Sequence, residues 1–212
     1  LGPNNEATSF IMAGLIFVWA GRLGSFLFKR IHGDGGVDSR FNRIRSDPMR
    51  LFETWTLQAL WVSLTALAAW TAITSVDEAP FGVLTIVGLV VWIVGFAIEV
   101  RADGEKTTFK KDPVNKGRFI STGIWAWSRH PNYFGETMIW WGYACIALAT
   151  TAGTWTLFGP ALMTFLLLKV SGVALLERGM TDRRPPYAAY IARTSTFFPW
   201  PPKAPPTPPQ AG

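Results

Sequence analysis

The sequence predicts an all-α, polytopic membrane helix bundle of five spans, with its N-terminus outside and its C-terminus in the cytoplasm. Three observations carry this reading: five long apolar runs, an alternating placement of Lys and Arg between them, and tryptophans within several runs. Each run has roughly the 20 residues that cross a hydrocarbon layer about 30 Å thick. A soluble helix would show a polar stripe every 3.6 residues, and a stretch such as 82–98 shows none. Trp favours membrane interfaces, because its ring is apolar and its N–H is not.

The first run, residues 8–28, is long for a signal peptide and lacks a basic leader. The chain begins Leu1-Gly2-Pro3 without a methionine, which reads as a fragment or a processed chain. Six basic residues, Lys29, Arg30, Arg40, Arg43, Arg45 and Arg50, separate this run from the second, 51–74. The connection 75–79 has none and leads as a short hairpin into the third run, 80–100. Seven follow it: Arg101, Lys106, Lys110, Lys111, Lys116, Arg118 and Arg129. This loop carries turn signals at Asp112-Pro113 and Gly117, then an aromatic stretch, Gly123-Ile124-Trp125-Ala126-Trp127, predicted to lie against the membrane. Pro131 suits the first position of the next helix. The fourth and fifth runs, 133–153 and 154–176, join near Gly153 without a basic residue, and Arg178, Arg183, Arg184, Arg193 and Lys203 follow. Only Arg22 and Lys169 lie inside runs. The alternation is what the positive-inside rule requires of five spans. Residues 1–197 read as the bundle and 198–212 as an extended, Pro-rich cytoplasmic tail.

The net charge of +6 therefore reports topology and not nucleic-acid binding. A single cysteine, Cys145, excludes disulfides and multi-cysteine zinc sites, and His32 and His130 are too far apart for a histidine metal motif. Polar groups in membrane helices are costly and hence informative. Arg22, Glu53, Glu99, Glu136, Lys169 and Glu177 all fall in the cytoplasmic half of their helices, with Gln58 nearer the middle. Snorkelling explains Arg22 or Lys169 alone. The set as a whole, with its shorter carboxylates, reads as lining a shared water-accessible cavity. On a helix opening at Pro131, residues 132, 136, 140 and 143 share one face, bearing an amide, a carboxylate, an indole and a phenol. The helix start adds unpaired N–H groups suited to a phosphate or amide.

The segment Gly123-Ile-Trp-Ala-Trp-Ser-Arg-His-Pro-Asn-Tyr-Phe-Gly-Glu136, with Trp140 and Gly142-Tyr143 after it, resembles the C-terminal signature of the steroid 5α-reductase-like membrane enzymes, in the bacterial branch named as a domain of unknown function. Asp38-Ser39-Arg40-Phe41, Trp55-Thr56-Leu57-Gln58 and Arg193-Thr194-Ser195 extend the likeness over nearly the whole chain. The resemblance implies a seven-helix fold in the bacterial inner membrane, binding NADPH from the cytoplasm and reducing a C=C bond conjugated to a ketone in a lipophilic, steroid-like substrate. By motif position, Asn132, Glu136 and Trp140 would line the nicotinamide end. Asp103, Lys110 and Arg118 would hold ribose and phosphates, and Tyr133, Tyr190 and Arg193 would complete the cofactor site. NADPH needs Arg and Lys partners for its phosphates, and no Gly-x-Gly-x-x-Gly follows a strand to offer another site. The basic loops are also readable as a topology signal alone.

Hydride transfer to the β-carbon builds charge on the ketone oxygen, where a donor must sit. The vertebrate enzymes use a Glu from the second helix and a Tyr from the third. Here the first run matches that third helix through Arg22 and has Trp19 near the Tyr position, and the first two family helices have no counterpart. Glu53 and Gln58 are the substrate-side candidates, and the proton donor stays unassigned.

Arg-His-Pro-x-Tyr-x-Gly is also similar to the signature of isoprenylcysteine and phospholipid methyltransferases. In that reading His130 and Glu177 bind S-adenosylmethionine, with Tyr187 or Tyr190 nearby. Asn132 with Glu136, and Glu177-Arg178 where those enzymes carry a Glu pair, favour the reductase. A transporter would carry polar residues through the full depth of the bilayer, often with repeats, and this chain has neither.

Overall fold

Apolar runs without a polar stripe become helices because hydrocarbon offers the backbone no other hydrogen-bond partner. The computed structural model describes residues 3–33, 44, 46–74, 81–150, 153–170 and 172–204, and among these the chain is helical, without a strand. Asp38-Ser39-Arg40-Phe41, the connection 75–79 and the end of the tail, 205–212, lie outside the described residues.

Among the described residues, three segments are long and apolar enough to cross a membrane: Ala7–Gly33, Val83–Lys111 and Gly153–Arg183, of 27, 29 and 31 residues. The second and fourth apolar runs are helical but fall short of that standard. Arg50, Glu53 and Gln58 interrupt the apolar surface of one. The other is a helix of 17 residues, which at 1.5 Å per residue extends about 26 Å.

The chain divides into two compact units, residues 1–89 with 142–162, and residues 90–141 with 163–212. In the first, α1 (Pro3–Gly33) packs against α3 (Leu67–Thr74), and Ser9 on α1 donates to the Ile73 carbonyl at 3.5 Å. α2 (Pro48–Thr65) starts where Asp47 caps the Met49 and Arg50 N–H groups at 3.0 and 3.3 Å, with Pro48 at its first position. Thr65 Oγ1 bonds back to the Trp61 carbonyl at 2.8 Å where α2 gives way to α3. Gly159 presses on that break, and a Cβ there would lie 2.5 Å from the Thr65 carbonyl oxygen. On α4 (Val83–Lys111) and α5 (Pro131–Ala147), a Cβ at Gly88 would stand 2.7 Å from the Gly142 carbonyl oxygen.

The second unit repeats that close approach. A Cβ on Gly95 would lie 2.7 Å from the Gly135 carbonyl oxygen, and one on Gly135 would lie 2.6 Å from the Gly95 oxygen and 2.7 Å from the Glu99 nitrogen. Small residues let helix backbones touch, which replaces the hydrophobic drive that lipid removes. After α4, Asp112 caps a 3-10 turn at Pro113–Asn115, as the turn signal predicts. The aromatic stretch forms a second 3-10 turn, Gly123–Ala126, and folds back on α4, burying Trp125 against Ala102 and Ile120 while Trp127 stays exposed. α6 (Phe158–Phe165) reaches this unit at Met163 and continues as a π-helical turn, Leu166–Val170. Three short helices follow: α7 (Val173–Glu177), α8 (Met180–Arg183) and α9 (Tyr187–Arg193).

Candidate functional site

The residues just before α5 organise the second unit. Ser128 Oγ accepts from the His130 N–H at 3.1 Å and donates to the Phe197 carbonyl at 2.8 Å, while the His130 carbonyl receives the Phe134 N–H at 3.1 Å. Arg129, 7 % exposed, uses every N–H of its guanidinium. Nε and Nη2 grip Glu177 Oε1 and Oε2 at 2.7 and 3.0 Å, a two-point pairing. Nη1 donates to the carbonyls of Thr194 and Ile191 at 2.8 and 3.3 Å, and Nη2 also donates to Thr196 Oγ1 at 2.7 Å. The Arg129 backbone N–H adds a bond to the Ser195 carbonyl at 2.8 Å. The chain after α9 is thereby tied across the entrance of α5, and Trp200 N–H to the Trp127 carbonyl, 2.9 Å, continues the tie.

Glu177 also receives His130 Nε2 at 3.0 Å and the Tyr187 hydroxyl at 3.5 Å, both on Oε1. Oε1 thus takes three donors of this chain and Oε2 takes one. Tyr190 donates its hydroxyl to the Trp125 carbonyl, and Trp125 Nε1 donates to the Ala102 carbonyl at 3.1 Å. Glu105 holds the Ile124 N–H at 3.0 Å and Arg101 Nε at 2.9 Å, closing the loop onto α4.

Burial, then the Glu177 charge, pushes the Tyr187 phenol from the ordinary 10.0 up to about 12. Burial, then neighbouring Tyr187, pushes Tyr190 up as well. In the folded chain Tyr187 keeps a proton that the unfolded chain releases above pH 10, so its stabilising effect is full below pH 10 and disappears as pH rises through about 12. Alkaline titration followed by tyrosinate absorbance is expected to show delayed ionisation and then unfolding. Tyr187→Phe should lessen the loss of stability across that range, and an unchanged profile would remove Tyr187 as its source.

Asn132 and Glu136 are half-buried and Trp140 is buried, on one face of α5. The Tyr133 ring lies parallel to His130 at 5.8 Å. On α4, Asp103 is buried and Lys110 exposed, and Glu99, one turn before Asp103, is only 3 % exposed. Arg118 is exposed after the Gly117 turn, and Arg193 is exposed at the end of α9. Glu53 and Gln58 are exposed on α2, in the first unit. The residues drawn into direct contact are His130, Glu177 and Tyr187, which sequence joined only in the methyltransferase reading. Arg129, counted from sequence as a topology charge, is their centre. A charge directly ahead of an apolar helix, within Ser128-Arg129-His130-Pro131, was the available signal. Among the described residues, no cluster of His, Cys, Asp or Glu could hold a metal ion.

The profile of a family described as "Protein of unknown function (DUF1295)" matches residues 1–194. An uncharacterized protein of Schizosaccharomyces pombe is 27 % identical over 217 residues, covering 89 % of this chain and 62 % of the relative. A protein of Ustilaginoidea virens named "Probable O-methyltransferase ustE" is 30 % identical over 115 residues, 53 % of this chain and 37 % of the relative. The chain therefore spans less than two thirds of either. No solved structure matches it.

Proposed function

We infer a function from the premise that this chain belongs to the DUF1295 family, whose description assigns none: it is an NADPH-dependent reductase of a conjugated C=C bond in a lipophilic, steroid-like substrate. In this reading the chain crosses the bacterial inner membrane five times and opens its polar faces to the cytoplasm. The observation that carries it is the engagement of Glu177 by Arg129 and His130. Binding S-adenosylmethionine through Glu177 would require breaking its bonds to Arg129 or His130, a large cost for a buried ion pair. Asn132, Glu136 and Trp140 recur at helical spacing on one face of α5, which supports them as the ligand-facing set.

The donor chemistry of that set suits a nicotinamide. Asn132 can donate to and accept from a carboxamide, Glu136 can accept from its NH₂, and Trp140 offers an apolar wall that excludes water. Asp103 suits ribose hydroxyls, and Lys110 and Arg118 suit phosphates. When bound, the nicotinamide supplies the hydride. The substrate enters from the bilayer.

A second reading, an S-adenosylmethionine-dependent methyltransferase of the isoprenylcysteine or phospholipid type, is favoured by the 3.0 Å His130–Glu177 pair and by the name of the Ustilaginoidea virens relative. Purified protein titrated with each cofactor, followed by unfolding temperature and nucleotide fluorescence, separates the two. Stabilisation by NADPH alone is expected, and stabilisation by S-adenosylmethionine alone would overturn the reductase. Glu136→Ala is expected to weaken NADPH binding about tenfold, as loss of a hydrogen bond to a fixed partner does. Unchanged affinity and turnover would take Glu136 out of the site.

A further inference from the structure

Residues 198–203, which follow the clamp of Arg129, hold an exposed aromatic surface in a fixed position. Trp200 and Phe198 are 70 % and 68 % exposed, and Trp127, whose carbonyl receives the Trp200 N–H at 2.9 Å, is 47 % exposed. We propose that this surface is an anchor seated in the headgroup layer of a lipid bilayer, and that residues 198–203 lie along the membrane rather than as a free arm in water. Nothing in this rests on the reductase reading, and no side chain of the surface belongs to the cofactor set.

The backbone supplies the first argument. A segment that is neither helix nor strand enters an apolar layer only where its N–H groups are satisfied. Pro199, Pro201 and Pro202 have no N–H to satisfy. The other two, on Trp200 and Lys203, donate to the carbonyls of Trp127 and Arg193 at 2.9 and 3.0 Å. From 199 to 203 the chain therefore presents no free backbone donor. An arm in water gains little from that arrangement, since water satisfies any donor it meets. The surface is also braced from below. Ser128 Oγ donates to the Phe197 carbonyl at 2.8 Å, and Phe134, in the first turn of α5, meets the rings of Phe197 and Phe198 edge-on, each at 5.6 Å.

Side-chain chemistry and height along α4 select lipid as the partner. Beneath the surface, the Trp125 indole donates to the Ala102 carbonyl at 3.1 Å. Among the described residues, none accepts from the indole N–H of Trp127 or of Trp200. A ring that gains from apolar contact and an N–H that needs an acceptor are both satisfied where acyl chains meet ester and phosphate oxygens. The Trp125 bond fixes the height. Ala102 directly follows Arg101, the first basic residue after the apolar run 80–100. Trp127, two residues on, and its partner Trp200 thus stand where the segment Val83–Lys111, long and apolar enough to cross a membrane, reaches its charged end. Lys203, exposed at the end of the strap, adds an ammonium that can extend to lipid phosphates.

The full chain with Cys145→Ala and Ala204→Cys, carrying a nitroxide at 204, should be reconstituted in phosphatidylcholine nanodiscs. Collision of the label with oxygen, which concentrates in lipid, is compared with its collision with a water-soluble nickel chelate. Lys116→Cys in the same background, exposed after the Pro113–Asn115 turn, is the aqueous reference. The oxygen-to-nickel ratio is expected to be severalfold higher at 204 than at 116. Phe198→Ser with Trp200→Ser should lower it at 204 to the reference value. Equal ratios at 204 and 116 with all the aromatics intact would overturn the proposal, so the test does not depend on the folding of the serine variant. Weak collision with both reagents would overturn it too, because protein would then cover the surface, a second copy if the labels also broaden each other. A ratio that stays high in the serine variant would show that these rings are not the anchor.

Discussion

Glu177→Ala is expected to lower the unfolding free energy by about 3–5 kcal/mol, because it leaves a buried guanidinium without its counter-charge. Arg129 and Glu177 have side chains 7 % and 19 % exposed, so water can replace little of what the carboxylate supplies. Arg129→Ala should cost a similar amount, since it also strands the carbonyls of Ile191 and Thr194. Arg129→Lys keeps the charge but cannot reproduce the two-point grip, and it should recover only part of the loss. The informative variant is the double one. Replacing the pair together, Arg129→Met with Glu177→Leu, removes both charges and should cost clearly less than the sum of the singles. Chemical unfolding in detergent, followed by tryptophan fluorescence, measures all four. Additive losses would mean that the two residues act separately and that the clamp is not a unit.

Gly135→Val is expected to cost about 1–3 kcal/mol or more through overpacking, although replacing a helix glycine with a residue of higher propensity ordinarily stabilises. The sign follows from what a Cβ meets. At Gly135 it meets backbone, the Gly95 oxygen at 2.6 Å and the Glu99 nitrogen at 2.7 Å, which no change of rotamer relieves. At Gly14 and Gly21 on α1, nothing lies within 4 Å. Gly14→Ala should therefore stabilise by up to about 1 kcal/mol, the propensity difference between the two residues, and Gly135→Ala should destabilise. Unfolding midpoints of the two alanine variants moving in the same direction would rule out a tight crossing of α4 and α5.

The same glycine illustrates how much the sequence reveals. Hydropathy marked α1, α4 and the segment Gly153–Arg183, because a membrane span is a property of composition and length. Pro131 and Asp112-Pro113 marked the starts of α5 and of the 3-10 turn, because proline acts locally. Gly135 sat within a motif read for its polar neighbours, and its role appears only when a second helix approaches. Arg129 is similar. Its partners Glu177, Ile191, Thr194 and Thr196 lie from 48 to 67 positions further along, and no local pattern encodes a bond of that length. The Tyr190 hydroxyl likewise bonds to the Trp125 carbonyl, 65 positions away, a partner visible only in three dimensions. The α5 face of Asn132, Glu136 and Trp140 was legible because it is periodic.

The tie between Ser128 and Phe197 spans 69 positions of sequence, and this bears on biosynthesis. While the ribosome is still adding α6 to α9, the entrance of α5 has already been made but has nothing to close on it. The buried arginine must wait, hydrated or held by an insertion factor, until synthesis has passed Phe197. Maturation of this half of the protein therefore follows the synthesis of Phe197, and a chain stopped short of that residue would leave α5 with its latch missing.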